Sequence, residues 1–194
     1  YHVDKEEPPM PTIVVASPTG GAGKSTTAVL LATELAHEGV PVTMLDCDPN
    51  RSLSLWASQS DLPRNINVLS NITEADIVRT IKSNDQDGQI VVVDLEGVAS
   101  RLVSRAISHA DLVLTPMRAT TLDATIGARA LQLIAEEEEA LDRKIPHAVV
   151  FTMTKAIVSK QHKGIEASLR DQGVDVIDPP LMERAAFSGL FAFG

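Results

Sequence analysis

Apolar runs rich in β-branched residues recur along the chain at 12–17, 42–46, 66–69, 89–94, 111–115, 147–152 and 174–177. They are continuous rather than alternating, as in Ile90-Val91-Val92-Val93. A strand apolar on both faces belongs to a sheet covered on both sides. Between most of these runs, apolar residues return at helical spacing, over 24–38, 51–59, 73–83, 99–109, 121–142 and 158–172. This alternation predicts right-handed βαβ crossovers. The α/β fold it implies is a doubly wound, mostly parallel sheet of about seven strands with helices on both faces. Glycines and prolines punctuate the segments, among them Gly39, Pro41, Pro63, Gly88, Pro116, Pro146 and Gly173. No internal repeat or long linker divides the chain, so residues 11–194 read as one domain. Residues 1–10 are polar and read as a leader outside the fold.

Composition narrows the functional classes. No stretch approaches the roughly 18 apolar residues of a membrane span, and the polar start is no signal peptide. The expectation is a cytoplasmic protein without a membrane partner. The single cysteine, Cys47, allows no internal disulfide and excludes paired-cysteine zinc or iron–sulfur sites within one chain. It reads as a small residue at a strand end. The five histidines show no metal-ligand spacing. A formal charge of −9 and an aromatic content of 3% argue against a uniformly basic surface or a row of base-stacking rings. A local basic patch remains open, and Lys155, Lys160, Lys163 and Arg170 cluster on and just before the helix expected at 158–172.

Three strand ends carry the candidate chemistry. The first run feeds Thr19-Gly20-Gly21-Ala22-Gly23-Lys24-Ser25-Thr26, which opens a helix. Glycines let successive backbone N–H groups converge on one concavity, Lys24 adds a mobile charge, and the Ser25 hydroxyl can ligate Mg²⁺. With each hydrogen bond to a charged phosphate contributing about 1.5–3 kcal/mol, such a loop can hold a nucleotide. The usual first glycine of the phosphate-loop pattern is Pro18 here. The second run ends in Asp46 and Asp48, spaced to share one side of an extended strand. They suit a metal's water shell and a nucleophilic water, or, for Asp48-Pro49, a simple turn. The third ends in Asp94, a Walker B arrangement reaching Mg²⁺ through water.

Taken together, Gly20–Ser25, then Asp46-Cys47-Asp48-Pro49-Asn50-Arg51-Ser52-Leu53-Ser54-Leu55-Trp56, then Asp94, resemble the ParA/MinD family of deviant P-loop ATPases. The match is best with its small plasmid-partition, ParF-like branch. Pro116 followed by Leu122-Asp123 and the ending 182–193 extend the likeness over about residues 11–194. The resemblance implies ATP or ADP with Mg²⁺ as cofactors. Phosphates would lie on Thr19, Gly20, Gly21, Ala22, Gly23, Lys24, Ser25 and Thr26, and the metal on Ser25, Asp46 and Asp94. Asp48 and Lys24 would serve catalysis, and Gly97 and its neighbours would sense the γ-phosphate. Met153, Leu181 and Met182 would lie near the adenine. It implies an ATP-dependent homodimer, non-specific DNA binding on the nucleoid and a ParB-like centromere-binding partner. In this family a lysine stands where this chain has Thr19, and it reaches the partner's phosphates across the dimer. Its absence points to slow hydrolysis, or to a substitute cation such as Arg51.

Other functions stay open at this level. A conjugation or T-DNA-transfer accessory ATPase and a metabolic P-loop ligase share the motifs. A MinD-type positioning ATPase would need an amphipathic membrane helix at the end, where 189–194 is apolar but short.

Overall fold

The computed structural model describes residues 11–85, 88–97 and 100–193 of the 194. The leader assigned to 1–10 therefore lies outside the described residues. Seven strands and seven helices follow in the order β1 (Thr12–Val15), α1 (Lys24–His37), β2 (Val42–Cys47), α2 (Ser52–Gln59), β3 (Ile66–Leu69), α3 (Ile77–Asn84) and β4 (Ile90–Leu95). The second half comprises α4 (Arg101–Ile107), β5 (Leu112–Arg118), α5 (Thr121–Leu141), β6 (His147–Thr152), α6 (Lys160–Asp171), β7 (Asp175–Ile177) and α7 (Ala185–Phe193). The sheet order is β3-β2-β4-β1-β5-β6-β7, and every pairing is parallel. β1 is the central strand. Its neighbours β4 and β5 lead to opposite halves of the sheet, so its carboxyl end is the topological switch point where open α/β folds bind ligands.

The continuous apolar runs bury both faces of each strand. Ile13, Val15, Met44, Val92 and Val150 pack beneath α1 and α2 with Ala28, Ala32, Leu53 and Trp56. The intervening Val14, Leu45, Val91 and Val93 pack on the opposite face with Ile77, Ile81, Val103, Ile107 and Ile134 from α3, α4 and α5. Met117, Val149 and Phe151 continue that face toward α6, where Ile165 and Leu169 cover them. Strand alternation then sets the site. Asp46 follows Met44 by two residues and Asp94 follows Val92 by two, so both carboxylates fall on the α1/α2 side of the sheet.

Three elements depart from the sequence reading. Pro116 does not end β5, which continues to Arg118. The Leu114 carbonyl accepts the N–H of Ala16, the residue just after β1. By alternation, Pro116 turns its nitrogen to that same side, beyond Val15, where β1 has ended and no ladder bond is missing. Helix α3 starts at Ile77 rather than 73, because residues 73–76 form a turn in which the Thr73 carbonyl accepts the N–H groups of Asp76 and Ile77. The end of the chain forms α7, which no expected segment contained. It packs on α2, and its Leu190 and Phe191 join the α1/α2 core. Helix α2 thus sits between sheet and α7, fastened by fully buried Leu53. Truncation of that side chain in Leu53→Ala is expected to cost about 2–5 kcal/mol through lost burial and an unfilled cavity, read by urea denaturation.

Candidate phosphate-binding site

Beyond β1 the chain crosses the carboxyl edge of the sheet and enters α1 at Lys24. Gly21 and Gly23 hold φ of 69° and 88°, the left-handed region that a side chain resists. Gly23 is the N-cap of α1 and offers no side-chain acceptor, so the first-turn N–H groups are left to an external anion. Two bonds shape the loop from behind. The Thr27 hydroxyl donates to the Gly23 carbonyl at 2.8 Å. The buried Thr152 hydroxyl at the end of β6 donates to the Ala22 carbonyl at 2.7 Å. Turning these carbonyls outward leaves the amides facing the concavity.

Lys24 is buried, and its ammonium lies 3.4 Å from where a Cβ on Gly97 would stand. The carbonyls of Ser17 and Pro18 lie 3.6 and 3.7 Å from the same point. A Cβ there would make ordinary van der Waals contacts, so the segment after β4 lies close to the P-loop lysine without requiring glycine. Its neighbours Val98 and Ala99, part of the expected γ-phosphate sensor, lie outside the described residues.

Asp46 and Asp94 face each other in register on β2 and β4. Asp94 is 0% exposed, and among the described residues neither of its carboxylate oxygens has a partner. Burial pushes its pKa up to about 7. The Ser25 hydroxyl draws it down, the charges of Asp46 and Asp48 push it further up, and the Lys24 ammonium offsets part of that rise. Asp46, 3% exposed, accepts the Ser54 N–H at 2.8 Å and the Ser54 hydroxyl at 2.5 Å on Oδ2, and its Oδ1 is unpartnered. Three orphaned buried carboxylate oxygens and a serine hydroxyl form the hard oxygen set that Mg²⁺ prefers, with waters completing its shell. Among the described residues no three acidic, histidine or cysteine side chains converge tightly enough to hold an ion alone. The residues fit a cation that arrives with phosphate oxygens of its own. Cys47, beside this pair, is buried, and burial together with the neighbouring carboxylates pushes its thiol up to about 12, so it is inert as a nucleophile.

Other expected residues stand differently. Asp48 lies one residue beyond β2, so strand alternation does not pair it with Asp46 as the spacing suggested. Its Oδ1 accepts the Asn50 N–H at 2.8 Å and its carbonyl accepts the Arg51 N–H, a turn that leaves Oδ2 for solvent. Arg51, the candidate substitute cation, donates to Asn71 Oδ1 at 2.6 Å, beyond edge strand β3 and away from the centre of the sheet. Thr19 is buried with its hydroxyl unpartnered among the described residues. Asp123 is structural: it takes the Arg118 guanidinium at 3.0 and 3.2 Å and the Thr120 hydroxyl, while Thr120 caps α5.

A cavity of about 230 Å³ lies on the β6 side of the loop. It brings Met153, Leu181 and Met182, the residues expected near the adenine, together beside Gly23 and Thr26. Hydrogen bonds from the Leu181 N–H to the Phe151 carbonyl and from the Glu183 N–H to the Thr154 carbonyl clip this segment to the end of β6. Phe187 and Phe191 of α7 complete the wall, a contribution that sequence reading missed along with α7 itself. Thr152 was also missed, since its partner is 130 residues away. Of the basic cluster, Lys155, Lys160 and Lys163 are exposed around the start of α6. Arg170 is not a free member, because it donates to Glu166 at 2.9 Å and to the Val176 carbonyl.

Residues 13–194 match the CobQ/CobB/MinD/ParA nucleotide binding domain. The chain belongs to that family. Protein ParA of Rhizobium radiobacter is 69% identical over 186 residues, covering 95% of this chain and 84% of the relative. The ParA fold alone does not separate functions within the family. A Mycobacterium smegmatis cobyrinic acid a,c-diamide synthase with bound ATP analogue and magnesium superposes with a TM-score of 0.74 at 18% identity, over 95% of this chain and 91% of that one. A plasmid partition protein of Borrelia burgdorferi superposes at 0.66, also at 18% identity, over 94% and 97%. The sequence identity to ParA is what discriminates. Helix α7 packs against α2, and no described helix is long and apolar enough to cross a membrane.

The raised pKa of Asp94 has a measurable consequence. The folded chain keeps this proton up to about pH 7, the unfolded chain only up to about 3.8. Between these values the folded state binds more protons, so stability falls as the pH rises and the loss is complete above about 7. Asp94→Asn carries no such charge. In chelating buffer its stability advantage over the parent is expected to grow across that window to about 1–4 kcal/mol and then level off, at about 1.4 kcal/mol per pKa unit. Urea titrations at a series of pH values check this, and a pH-independent difference would contradict it.

Proposed function

We propose that this chain is an ATP-binding partition protein of the ParA type. It binds ATP with Mg²⁺ in the P-loop and pairs with a second copy across the bound nucleotides. In that form it holds DNA on the nucleoid through phosphate contacts. With a ParB-like centromere-binding partner it segregates or positions plasmid or chromosomal cargo.

The observation that carries this reading is the juxtaposition at the end of β1: the uncapped start of α1, the Lys24 ammonium, and the unpartnered oxygens of Asp46 and Asp94. The 69% identity to ParA selects partition over the metabolic ligases that share the fold. In this reading the amides of residues 20–26 and Lys24 bind the phosphates, and Met153, Leu181 and Met182 bracket the base. Mg²⁺, held by Ser25 and through water by Asp46 and Asp94, neutralises phosphate charge. The free Oδ2 of Asp48 orients the attacking water. Thr19 supplies no charge and Arg51 is engaged elsewhere, so hydrolysis is slow by the standard of enzymes with a trans-acting cation.

Apolar side chains support pairing. Leu122, Met153 and Val158 are exposed, and Ile157 is 88% exposed, all following the carboxyl ends of β5 and β6 on the P-loop edge. Exposed Lys155, Lys160 and Lys163 support DNA contact through charge rather than stacking.

Calorimetry with ADP or ATP and Mg²⁺ is expected to give micromolar binding that Lys24→Ala reduces at least about tenfold, the loss of a charged phosphate contact. Unchanged affinity would remove the P-loop assignment. For DNA, the Lys160→Glu/Lys163→Glu double variant is expected to bind random duplex more weakly, by a similar factor for every sequence and with a shallower salt dependence. Equal binding by parent and variant at low salt would exclude this face.

A further inference from the structure

Ser54 is the third residue of α2 and belongs to none of the roles assigned above. The first N–H groups of a helix have no partner within it, and the N-cap of α2, Arg51, accepts nothing through its side chain. The acceptor comes from the adjacent strand instead. Asp46 Oδ2 takes both the Ser54 N–H and the Ser54 hydroxyl, at 2.8 and 2.5 Å. Two donors on one oxygen fix the plane of the carboxylate and stop its rotation. They also leave Oδ1, buried and unpartnered among the described residues, as the one oxygen of Asp46 with capacity to spare. Its register partner Asp94 has only the Ser25 hydroxyl near it and no pair of donors on one oxygen, so the two carboxylates are built differently.

We infer that Ser54 is a positioning residue for the divalent cation: by holding Oδ2, it dedicates Oδ1 of Asp46 to the ion's water shell. This inference rests on the nucleotide-binding reading above. Outer partners that orient a metal-binding carboxylate typically alter metal affinity about 10–100-fold when removed. Ser54→Ala deletes the hydroxyl and keeps the backbone donor, so the lower end of that range applies. A second consequence concerns α2. Trp56, the one tryptophan of the chain, is buried two residues beyond Ser54 on the same helix, so loading the ion beside Asp46 changes the field and packing near an intrinsic fluorophore.

The test measures ADP binding by the full chain across a Mg²⁺ series that begins in EDTA, with Trp56 emission followed in parallel. In Ser54→Ala, the Mg²⁺ concentration giving half of the Mg²⁺-dependent tightening is expected to rise about tenfold. Affinity in EDTA should stay at the parent's value. Ser54→Thr, which keeps both donors, restores the parent's Mg²⁺ requirement. The Mg²⁺-induced change in Trp56 emission of the ADP complex is expected in the parent; in Ser54→Ala, which keeps the backbone donor, it is expected to follow that variant's raised Mg²⁺ requirement. Should the alanine variant not fold, Ser54→Cys, of similar size and a far weaker donor, takes its place. Equal losses of ADP affinity with and without Mg²⁺ would overturn the inference, leaving Ser54 as a fastening of α2 to the sheet. An unchanged Mg²⁺ requirement would overturn it as well. A parent that binds no ADP at any Mg²⁺ concentration is a separate failure, that of the nucleotide-binding reading itself.

Discussion

Two carboxylates buried side by side with three of their four oxygens unpartnered are the constraint around which this molecule is arranged. Each unpaired buried polar group costs free energy, and a buried charge costs more. The sheet bears that cost because Asp46 and Asp94 occupy the penultimate positions of β2 and β4, where strand alternation aims them beneath α1 and α2. Nearby the chain supplies only partial compensation, in Lys24, Ser25 and Ser54. A ligand bringing a cation and phosphate oxygens relieves the remainder, so the same groups that weaken the empty fold strengthen the filled one by mass action.

The central position of β1 explains why these groups meet. At its end, among the described strands, the loops diverge to opposite halves of the sheet, and there the glycine turn gives way to α1. On one side the segment around Gly97 lies beside the Lys24 ammonium; on the other, Thr152 grips the Ala22 carbonyl from β6. The loop is therefore braced by strands from both halves.

What could be read from the sequence was local in the chain. The parallel sheet followed from uninterrupted apolar runs, and the P-loop, Asp46 and Asp94 followed from their places at strand ends. What escaped was set by distant partners. Thr152 is an ordinary strand residue until its hydroxyl meets the loop, and Ser54 is an ordinary helix residue until Asp46 reaches it. Helix α7 escaped because an apolar, glycine-containing segment shows little helical periodicity, and its faces are defined only once α2 and the cavity beside the P-loop are in place. Pro116 misled because a proline stops a strand only where its missing N–H has a neighbour to disappoint. Strand spacing set Asp48 on the face of Asp46, but β2 ends at Cys47, so that spacing does not apply.

Helix α7 ties two things that are usually separate. Its Phe187 and Phe191 wall the cavity beside the P-loop, while Leu190 and Phe191 sit in the core against α2. One helix thus belongs to two structures at once. A substitution that shifts α2 also moves a wall of that cavity, and anything that fills the cavity bears on the packing of α2, so the stability of this layer and the shape of the pocket cannot be tuned separately through α7.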